Sequence, residues 1–429
     1  MAGTLKNKKL WLGILFTALI LLVYRLGYFI QLPYIRYENM QALYNQGSMF
    51  GFLDIFSGGA LSNFSIVALG VSPYITASIV VQLLQMDIIP VLKEWSEEGE
   101  TGKQKLNALT RYLAIGLAFV QSLTIVVGLT ASYKGLFFGA GTPSGAMTYI
   151  YLAIVMTAGT GLVLWLADLI TAKGVGNGTS LMIVVGIIAS YPDMINDLMQ
   201  TYIFADETTT KGVLTFVGVI VLMLVIILGV VFMESATRKI PIQYSNRPAA
   251  ATLRGRNDSN IPIKLNSASV IPVIFASTLM SLPTTLANFL SNETAKNVLT
   301  AIFSTSKPIG FVVYIVLIVI FTFFYAFLQM SPDKMAENLQ KQNAYVPGIR
   351  PGDDTAAYFS RVLFKLTVVG ATYLCILAAL PIVVAKLLSL PSSVTVGGTG
   401  LIIVVGVAIE TAKQIKTQAQ EKQYRGFMD

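Results

Sequence analysis

The chain contains 429 residues, of which 54% are hydrophobic and 12% are charged, and its formal net charge at pH 7 is +8. Soluble domains carry about 25% charged residues, so this composition excludes an ordinary soluble protein and indicates several membrane spans. Histidine is absent, which excludes histidine-based zinc sites, Ser-His-Asp triads and histidine proton relays. The one cysteine, Cys375, lies in an apolar stretch; we interpret it as a small buried side chain that forms no intramolecular disulfide.

Apolar windows with the length that a membrane-spanning helix needs, about 20 residues, recur along the chain. We predict ten such helices, near residues 10–32, 66–86, 112–131, 148–168, 178–195, 212–234, 268–290, 308–331, 362–385 and 396–412. With the N-terminus in the cytoplasm, 23 of the 30 Lys and Arg residues fall in cytoplasmic segments and 6 in outside segments. Because positive charge concentrates on the cytoplasmic side, we predict a multi-pass protein of the cytoplasmic membrane with both termini cytoplasmic.

Two internal matches divide the predicted helices into two sets of five. Residues 71–78 resemble residues 270–277, and residues 178–186 resemble residues 398–406. Five is an odd number, so two such halves have opposite orientations in the membrane. We predict an all-α polytopic membrane protein with two inverted, pseudo-symmetric halves, residues 1–205 and 206–429.

Inverted repeats place the working site near the bilayer midplane, between the halves. The residues that correspond across the repeats are aliphatic: Ile75 with Ile274, and Ile183 with Ile403. An ion-coupled site would call for carboxylates or polar backbone there, whereas aliphatic side chains that face each other on an axis form a hydrophobic constriction. Ordinary helix packing or lipid contact is the alternative explanation of these four positions.

The second predicted span is preceded by an unusual uncharged stretch. Asp54 and Asp87 are separated by 32 uncharged residues, about a dozen more than one span requires. The surplus, residues 55–65, contains Gly58-Gly59 and several Ser and Asn residues, which argue against a lipid-facing helix. Irregular backbone at membrane depth is tolerated only inside protein or beside water. We predict a short re-entrant helix in a funnel; the alternative is a loop on the outer surface.

The loop at residues 235–267 is strongly basic and has a strand-like pattern. Ile240–Tyr244 and Ile261–Leu265 alternate apolar and polar side chains, and their prolines restrict such strands to sheet edges. A basic hairpin in the cytosol suits an acidic partner, either protein or RNA. The alternative is that the charge only sets the membrane topology, which explains its sign but not the strand pattern.

A second cytoplasmic loop, residues 331–356, ends in Tyr345–Gly352. Two Pro-Gly steps on either side of Arg350 predict a stiff turn that holds this one cation outward. Neither loop contains a phosphate-binding glycine motif, so the chain is expected to bind no nucleotide itself.

Long stretches of the chain resemble the SecY family, the large channel-forming subunits of the bacterial Sec protein translocase. The resemblance covers nearly the whole chain and rests on residues 71–84, 174–178, 271–276, 345–352, 397–399 and 424–428. It implies a protein-conducting channel that passes unfolded polypeptides and releases apolar segments into the membrane, with no cofactor and no catalysis of its own.

The resemblance also implies roles for particular residues. An aliphatic ring that closes the waist of an hourglass maps to Val71, Ile75, Thr179, Ile183, Ile274 and Ile403. A plug that occupies the funnel maps to Ile55, Phe56, Gly58, Gly59, Leu61 and Phe64. A lateral gate between the second and seventh spans includes the polar residues Thr76, Ser78, Gln82 and Gln121.

The two cytoplasmic loops match the family's docking surfaces for the SecA ATPase and the ribosome. The docking residues are Arg238, Lys239, Arg247, Arg254, Arg256 and Arg350. SecE and SecG are the implied small membrane partners, the translocating polypeptide and membrane lipids are the other contacts, and SecA or the ribosome supplies the driving energy.

Three departures from the family pattern leave open whether the chain is a housekeeping channel or an accessory paralogue. Thr179 replaces an aliphatic ring residue, Ser269 replaces a glycine before the seventh span, and Asn343-Ala344 replaces Gly-Gly. A secondary transporter is the main rival, with Asp168 and Arg25 as its candidate ionisable groups. A membrane enzyme is a third option, for which we identify no paired carboxylates, HExxH motif or Ser-Lys dyad on facing helices.

Overall fold

A computed structural model describes residues 8–34, 57–61, 63–85, 89–132, 146–204, 210–244, 259–287, 293–305, 307–388, 390 and 392–425. In chain order its helices are α1 (Lys8–Gly27), α2 (Ser72–Leu84), α3 (Pro90–Glu97), α4 (Glu100–Ser132), α5 (Ala146–Lys173), α6 (Gly178–Tyr202), α7 (Thr210–Ser235), α8 (Ile271–Ala287), α9 (Glu293–Phe303), α10 (Pro308–Gln329), α11 (Pro332–Lys341), α12 (Asp353–Leu387) and α13 (Ser392–Arg425). Three strands accompany them, β1 (Thr237–Tyr244), β2 (Ser259–Lys264) and β3 (Ala344–Tyr345).

The described part of the chain contains eight helices that are long and apolar enough to cross a membrane: α1, α4, α5, α6, α7, α10, α12 and α13. This confirms the predicted all-α polytopic membrane protein. The second and seventh predicted spans coincide with shorter apolar helices, α2 with 13 residues and α8 with 17. A helix of 13 residues is only about 20 Å long, against about 30 Å for the hydrocarbon core. The total of ten spans therefore stays a prediction.

The two short helices begin in the same way, as their repeated sequences suggest. Pro73 is the second residue of α2, and Pro272 is the second residue of α8. Proline fits the first turn of a helix because the N–H group that it lacks would have no partner inside the helix there. Both prolines therefore occupy the first turn of their helices.

The same packing order occurs in both sets of helices. In the first set α2 packs on α4, α4 on α5 and α5 on α6; in the second set α8 packs on α10, α10 on α12 and α12 on α13. The sets meet where α2 contacts α8, and again where α6 contacts α7 and α13. The largest buried hydrophobic cluster takes side chains from both sets, so the core of the molecule lies between them.

The loops at residues 235–267 and 331–356 form one small sheet. The strands predicted at residues 240–244 and 261–265 are present and begin earlier, at residues 237–244 and 259–264. They pair antiparallel from Thr237 opposite Lys264 to Ile242 opposite Ser259. The second loop supplies β3, whose Tyr345 lies opposite Gln243 of β1. Ile240, Ile242 and Ile263 are buried against Phe359 of α12. The loops therefore act as a single projecting unit, which the sequence pattern does not reveal.

The prediction that proline confines both strands to sheet edges is wrong for β1. This strand lies between β2 and β3. Strand β3 pairs only with Gln243 and Tyr244. At Pro241, β1 therefore has a neighbouring strand on one side only, and a residue without an N–H group is tolerated there.

A buried polar network secures the turn that leads from β2 into α8. Glu234, at the end of α7, is 5% exposed. Its Oε1 accepts a hydrogen bond of 3.0 Å from Ser269 Oγ and one of 3.5 Å from Asn266 Nδ2. Lys413 Nζ donates to the backbone oxygen of Glu234 at 2.7 Å. Ser269 has a φ of 55°, a left-handed conformation that glycine adopts more readily, and its hydroxyl offsets the strain by reaching Glu234.

We expect Ser269→Ala to destabilise the protein more than Ser269→Gly does. The alanine variant keeps the left-handed strain and loses a hydrogen bond to a buried carboxylate, which is worth about 2 kcal/mol. The glycine variant loses the same bond but relieves roughly 1–2 kcal/mol of backbone strain. The thermal unfolding midpoint of the purified membrane complex measures the difference. Ser235→Ala is the matched control, since that exposed hydroxyl bonds only Val231 O of its own helix; equal effects at position 269 would contradict the expectation.

Candidate functional site

Five of the six residues predicted to close the pore lie in one buried hydrophobic cluster. Val71 directly precedes α2, Ile75 lies on α2, Ile183 on α6, Ile274 on α8 and Ile403 on α13. Each is at most 8% exposed. The five residues thus come from four helices and from both sets of helices. We call the whole cluster the waist; it also contains side chains of α1, α5, α10 and α12.

The positions of Ile75 and Ile274 follow from the way their helices begin. Each is the fourth residue of its helix, α2 and α8 respectively, and these two helices pack against each other. Val71 and Ile75 are four residues apart and so share one helix face. The repeat that pairs Ile75 with Ile274 in the sequence thus brings them into the same cluster.

Thr179, the sixth predicted residue, is half-buried and lies four residues before Ile183 on α6. It belongs to the first turn of α6, and its Oγ1 donates a hydrogen bond of 2.7 Å to Oδ1 of the helix-capping residue Asn177. The side chain is thereby engaged in capping, which is a common role for a polar residue at a helix start.

Ile187 is a waist residue that the sequence reasoning missed. It is fully buried in the same cluster, one turn beyond Ile183 on α6. A Cβ atom added to Gly400 of α13 would lie 2.8 Å from Ile187 Cγ2, so the two helices approach closely there. The spacing of four residues from Ile183 is the signal that could have identified it.

The predicted plug segment is buried over nearly all of its described part. Ser57, Ala60, Leu61, Phe64 and Ser65 are each at most 4% exposed. A loop on the outer surface would expose such side chains. The described residues follow consecutive turns, and the predicted plug residues Ile55 and Phe56 lie outside them.

The plug segment contacts both the waist and the neighbouring helices. Ala60 belongs to the waist cluster, whereas Leu61 and Phe64 pack with residues of α4 and α5, including Ile125 and Leu152. The backbone returns along the end of α1: Leu32 N donates to Phe64 O at 2.8 Å and Ile66 N to Ile30 O at 2.9 Å. The Gly58-Gly59 tip faces α6, since a Cβ on Gly58 would lie 2.9 Å from Gly186 Cα.

The four polar residues predicted for a lateral gate do not form one polar site. Thr76 is buried and donates to Ser72 O of its own helix at 3.2 Å. Ser78 and Gln82 bond each other at 3.0 Å along α2, while Gln121 is half-buried on α4. The hydrogen bonds of Thr76 and Ser78 thus stay within α2.

An aromatic cluster beside the α2–α8 contact was not predicted. The Phe275 ring of α8 meets the rings of Phe321 and Tyr325 of α10 edge-on, with centroid distances of 5.9 and 5.6 Å. Tyr325 also lies beside Gln82 of α2. Aromatic spacing across helices from different parts of the chain leaves no local signal, so sequence reasoning could not find it.

The sheet and the turn that follows it present three of the predicted docking cations. Arg238, Lys239 and Arg350 are exposed, whereas Arg247, Arg254 and Arg256 lie outside the described residues. Gly348 and Gly352 adopt φ values of 82° and 104°, which glycine permits without strain.

The turn around Arg350 is fixed at both sides. Thr355 Oγ1 donates to Arg350 O at 2.7 Å, and the neighbouring Ile349 packs against the cluster beneath the sheet. The backbone geometry thus supports the predicted stiff turn with an outward cation.

The two ionisable residues that a transporter would use have other partners. Asp168 pairs with Arg111 at 2.8 Å, and both side chains are more than two-fifths exposed. Arg25 Nη1 donates to Gly58 O of the plug segment at 2.7 Å. Neither residue belongs to the waist cluster.

Comparison with known proteins agrees with this geometry. The SecY family model matches residues 65–412. The chain belongs to the SecY family. "Protein translocase subunit SecY" of Halalkalibacterium halodurans is 45% identical over 428 residues, which cover 99% of this chain and 97% of the relative. This similarity and the apolar helices place the SecY-family chain in the bacterial cytoplasmic membrane.

Solved channel structures share the fold at low sequence identity. One is a SecY structure in which the plug domain stabilises the closed state of the channel and maintains a membrane seal. It matches this chain with a TM-score of 0.63 and 19% sequence identity. Sec61 in the canine ribosome–channel complex has a TM-score of 0.62 and 18% identity. Each comparison covers 94% of this chain and 91% of the other chain.

We expect Asn at position 183, but not at position 179, to open the waist to ions. Burial of an unpaired amide costs about 1–3 kcal/mol, so Ile183→Asn should raise resting ion conductance of the reconstituted complex by about tenfold. Thr179→Asn serves as the matched control and should leave it near the wild-type value. A comparable rise with Thr179→Asn would show that Thr179 also seals the pore.

Proposed function

We propose that the chain forms a gated, passive pore for unfolded polypeptide in the cytoplasmic membrane. The observation that carries this proposal is the waist, an aliphatic cluster built by helices from both halves of the molecule. Family membership supports the same function, since the H. halodurans relative is a protein translocase subunit. The chain performs no catalysis in this scheme.

The proposed ring consists of Val71, Ile75, Ile183, Ile274 and Ile403, whereas Thr179, mapped as the sixth position, is proposed to support the cap of α6. Aliphatic side chains offer no directed hydrogen bond, so they can close around an extended chain of any sequence. At rest they close against each other, which excludes water and therefore ions. The burial of all five aliphatic residues supports a closed resting state.

We infer that residues 55–65 act as a plug for this pore. Its support is the burial of the described part and the approach of Gly58 to α6 beside the waist. The related SecY structure whose plug domain stabilises the closed state provides a second line of support.

Apolar segments are proposed to leave sideways, between α2 and α8. This contact joins the two sets of helices through short helices and apolar side chains, so its separation would leave few buried polar groups without partners. A Leu, Ile or Phe residue favours the bilayer centre by about 0.3–0.6 kcal/mol, and an Asp, Lys or Arg residue opposes it by about 3 kcal/mol. A sufficiently apolar segment would therefore partition into lipid there.

We propose that residues 1–205 and 206–429 are inverted halves joined near α6 and α7. The repeated sequences, the matching starts of α2 and α8 and the common packing order support this division. Both termini and the three-stranded sheet would lie in the cytoplasm, in accordance with the distribution of Lys and Arg.

The energy for transport would come from partners that bind the cytoplasmic sheet. Arg238, Lys239, Arg247, Arg254, Arg256 and Arg350 form the proposed docking set for SecA and the ribosome. The Sec61 structure is a ribosome–channel complex, which supports the second partner. SecE and SecG are proposed as small membrane subunits, with the exposed apolar faces of α1 and α7 available for them or for lipid.

We expect a photocrosslinker at Ile75 or Ile274 to capture a polypeptide stalled in transit, because these side chains would surround it. The matched control is Ile188, which directly follows the waist residue Ile187 on α6 but is 48% exposed. Crosslinked products separated by gel electrophoresis identify the captured molecule. Capture of lipid alone at all three positions would contradict a polypeptide pore.

We expect Arg350→Glu to reduce motor-driven transport by about tenfold, since a repulsive charge replaces the projecting cation at the docking surface. Uptake of a secreted substrate into inverted membrane vesicles measures it. Lys386→Glu makes the same charge change in the last turn of α12, a helix that starts three residues after Arg350. Because α12 has 35 residues and is about 50 Å long, this control lies on the opposite side of the membrane. Equal effects of both variants would remove Arg350 from the docking surface.

A further inference from the structure

Arg25 is a cation in the last turn of a membrane-spanning helix, α1, and its contacts go to the plug segment. Its Nη1 donates a hydrogen bond of 2.7 Å to the backbone oxygen of Gly58, 33 residues away in the chain. A hydrogen bond from a charged donor is stronger than one between neutral groups. An arginine that only extends toward lipid headgroups would not select this one carbonyl.

Tyr28, one turn later, completes the contact. The Arg25 guanidinium carbon lies 4.0 Å from the centroid of the Tyr28 ring, within the range of a cation–π interaction. The same ring covers the second plug glycine, since a Cβ on Gly59 would lie 3.3 Å from Tyr28 Cε2. Asn63 Nδ2 donates to Tyr28 O at 3.5 Å. The end of α1 thus contacts the plug segment at three residues.

The tip of the segment has little space on its other side. Gly58 and Gly59 adopt φ values of 71° and 80°, which turn the Gly58 carbonyl toward Arg25. A Cβ on Gly58 would lie 2.9 Å from Gly186 Cα and 3.3 Å from Arg25 Nη1. The tip is therefore held between the guanidinium of α1 and the backbone of α6, and Gly186 is three residues from the waist residue Ile183.

We propose that Arg25 is a positioning residue that latches the plug in its closed position, with Tyr28 as the surface over which the guanidinium is held. This inference rests on the proposed function, because it assigns a lock to the plug of that pore. The latch would be independent of the waist, since it uses one polar bond beside the apolar seal. Release of the plug would require this bond to break while the aliphatic ring separates.

The test measures resting ion conductance of the purified complex in planar bilayers, in four forms: wild type, Arg25→Gln, a deletion of residues 57–65, and both changes together. We expect Arg25→Gln to raise the conductance by about tenfold, the effect of losing one charge-assisted hydrogen bond. In the deletion background Arg25→Gln should cause no further rise, because the partner of Arg25 is already absent. Lys173→Gln, which removes an exposed cation from the last turn of α5, is the control and should behave as wild type.

The outcomes separate the latch from the proposed function. A wild-type conductance for Arg25→Gln, or an equal rise in both backgrounds, overturns the latch while the plug assignment stands. An unchanged conductance after the deletion overturns the plug assignment and the latch with it. If Arg25→Gln does not accumulate in the membrane, Gly58→Ala tests the same contact from the other side and should also raise conductance. Gly161→Ala is its control, since a Cβ there meets nothing within 4 Å.

Discussion

The structure depends on an apolar contact between two sets of helices. At the waist, aliphatic side chains from α2, α6, α8 and α13 bury each other, and such contacts have no preferred direction. Their separation costs only the exposure of apolar surface, whereas separation of a buried hydrogen-bonded pair would leave polar groups without partners. A seal of this kind can open around a chain of any sequence and close again. This property requires that carboxylates and amides be kept away from the axis.

The polar contacts of the structure lie beside the waist and fix the elements that surround it. Arg25 holds the turn at Gly58, and Glu234 holds the turn at Ser269 from which α8 begins. Each polar contact is directional and local, so it can position one segment without making the apolar seal selective. The structure therefore combines non-directional packing at the waist with a few hydrogen bonds that position the turn at Gly58 and the start of α8.

Features that depend on composition and period were predictable, while those that depend on backbone conformation were not. The apolar windows identified the membrane helices, and the alternation in residues 237–244 identified a strand. The role of Thr179 was not predictable. A side chain at this position of α6 can bond the capping residue Asn177 or face the axis, and the sequence does not distinguish the two. Strand β3 is only two residues long, too short to show a pattern. The contact of Arg25 with Gly58 was not predictable, because its acceptor is a backbone carbonyl. A backbone carbonyl carries no sequence signal.

The backbone conformation explains two of the departures from the family pattern. Ser269 and Asn343 replace family glycines, and both adopt left-handed φ values, 55° and 52°. Ser269 bonds Glu234, while asparagine is among the residues that tolerate this conformation best, and Asn343 N still donates to Gln340 O at 3.1 Å. The chain therefore keeps the turns that glycine favours while changing the side chains. Because one turn lies between β2 and α8 and the other directly precedes β3, both substitutions act on the connections of the small sheet.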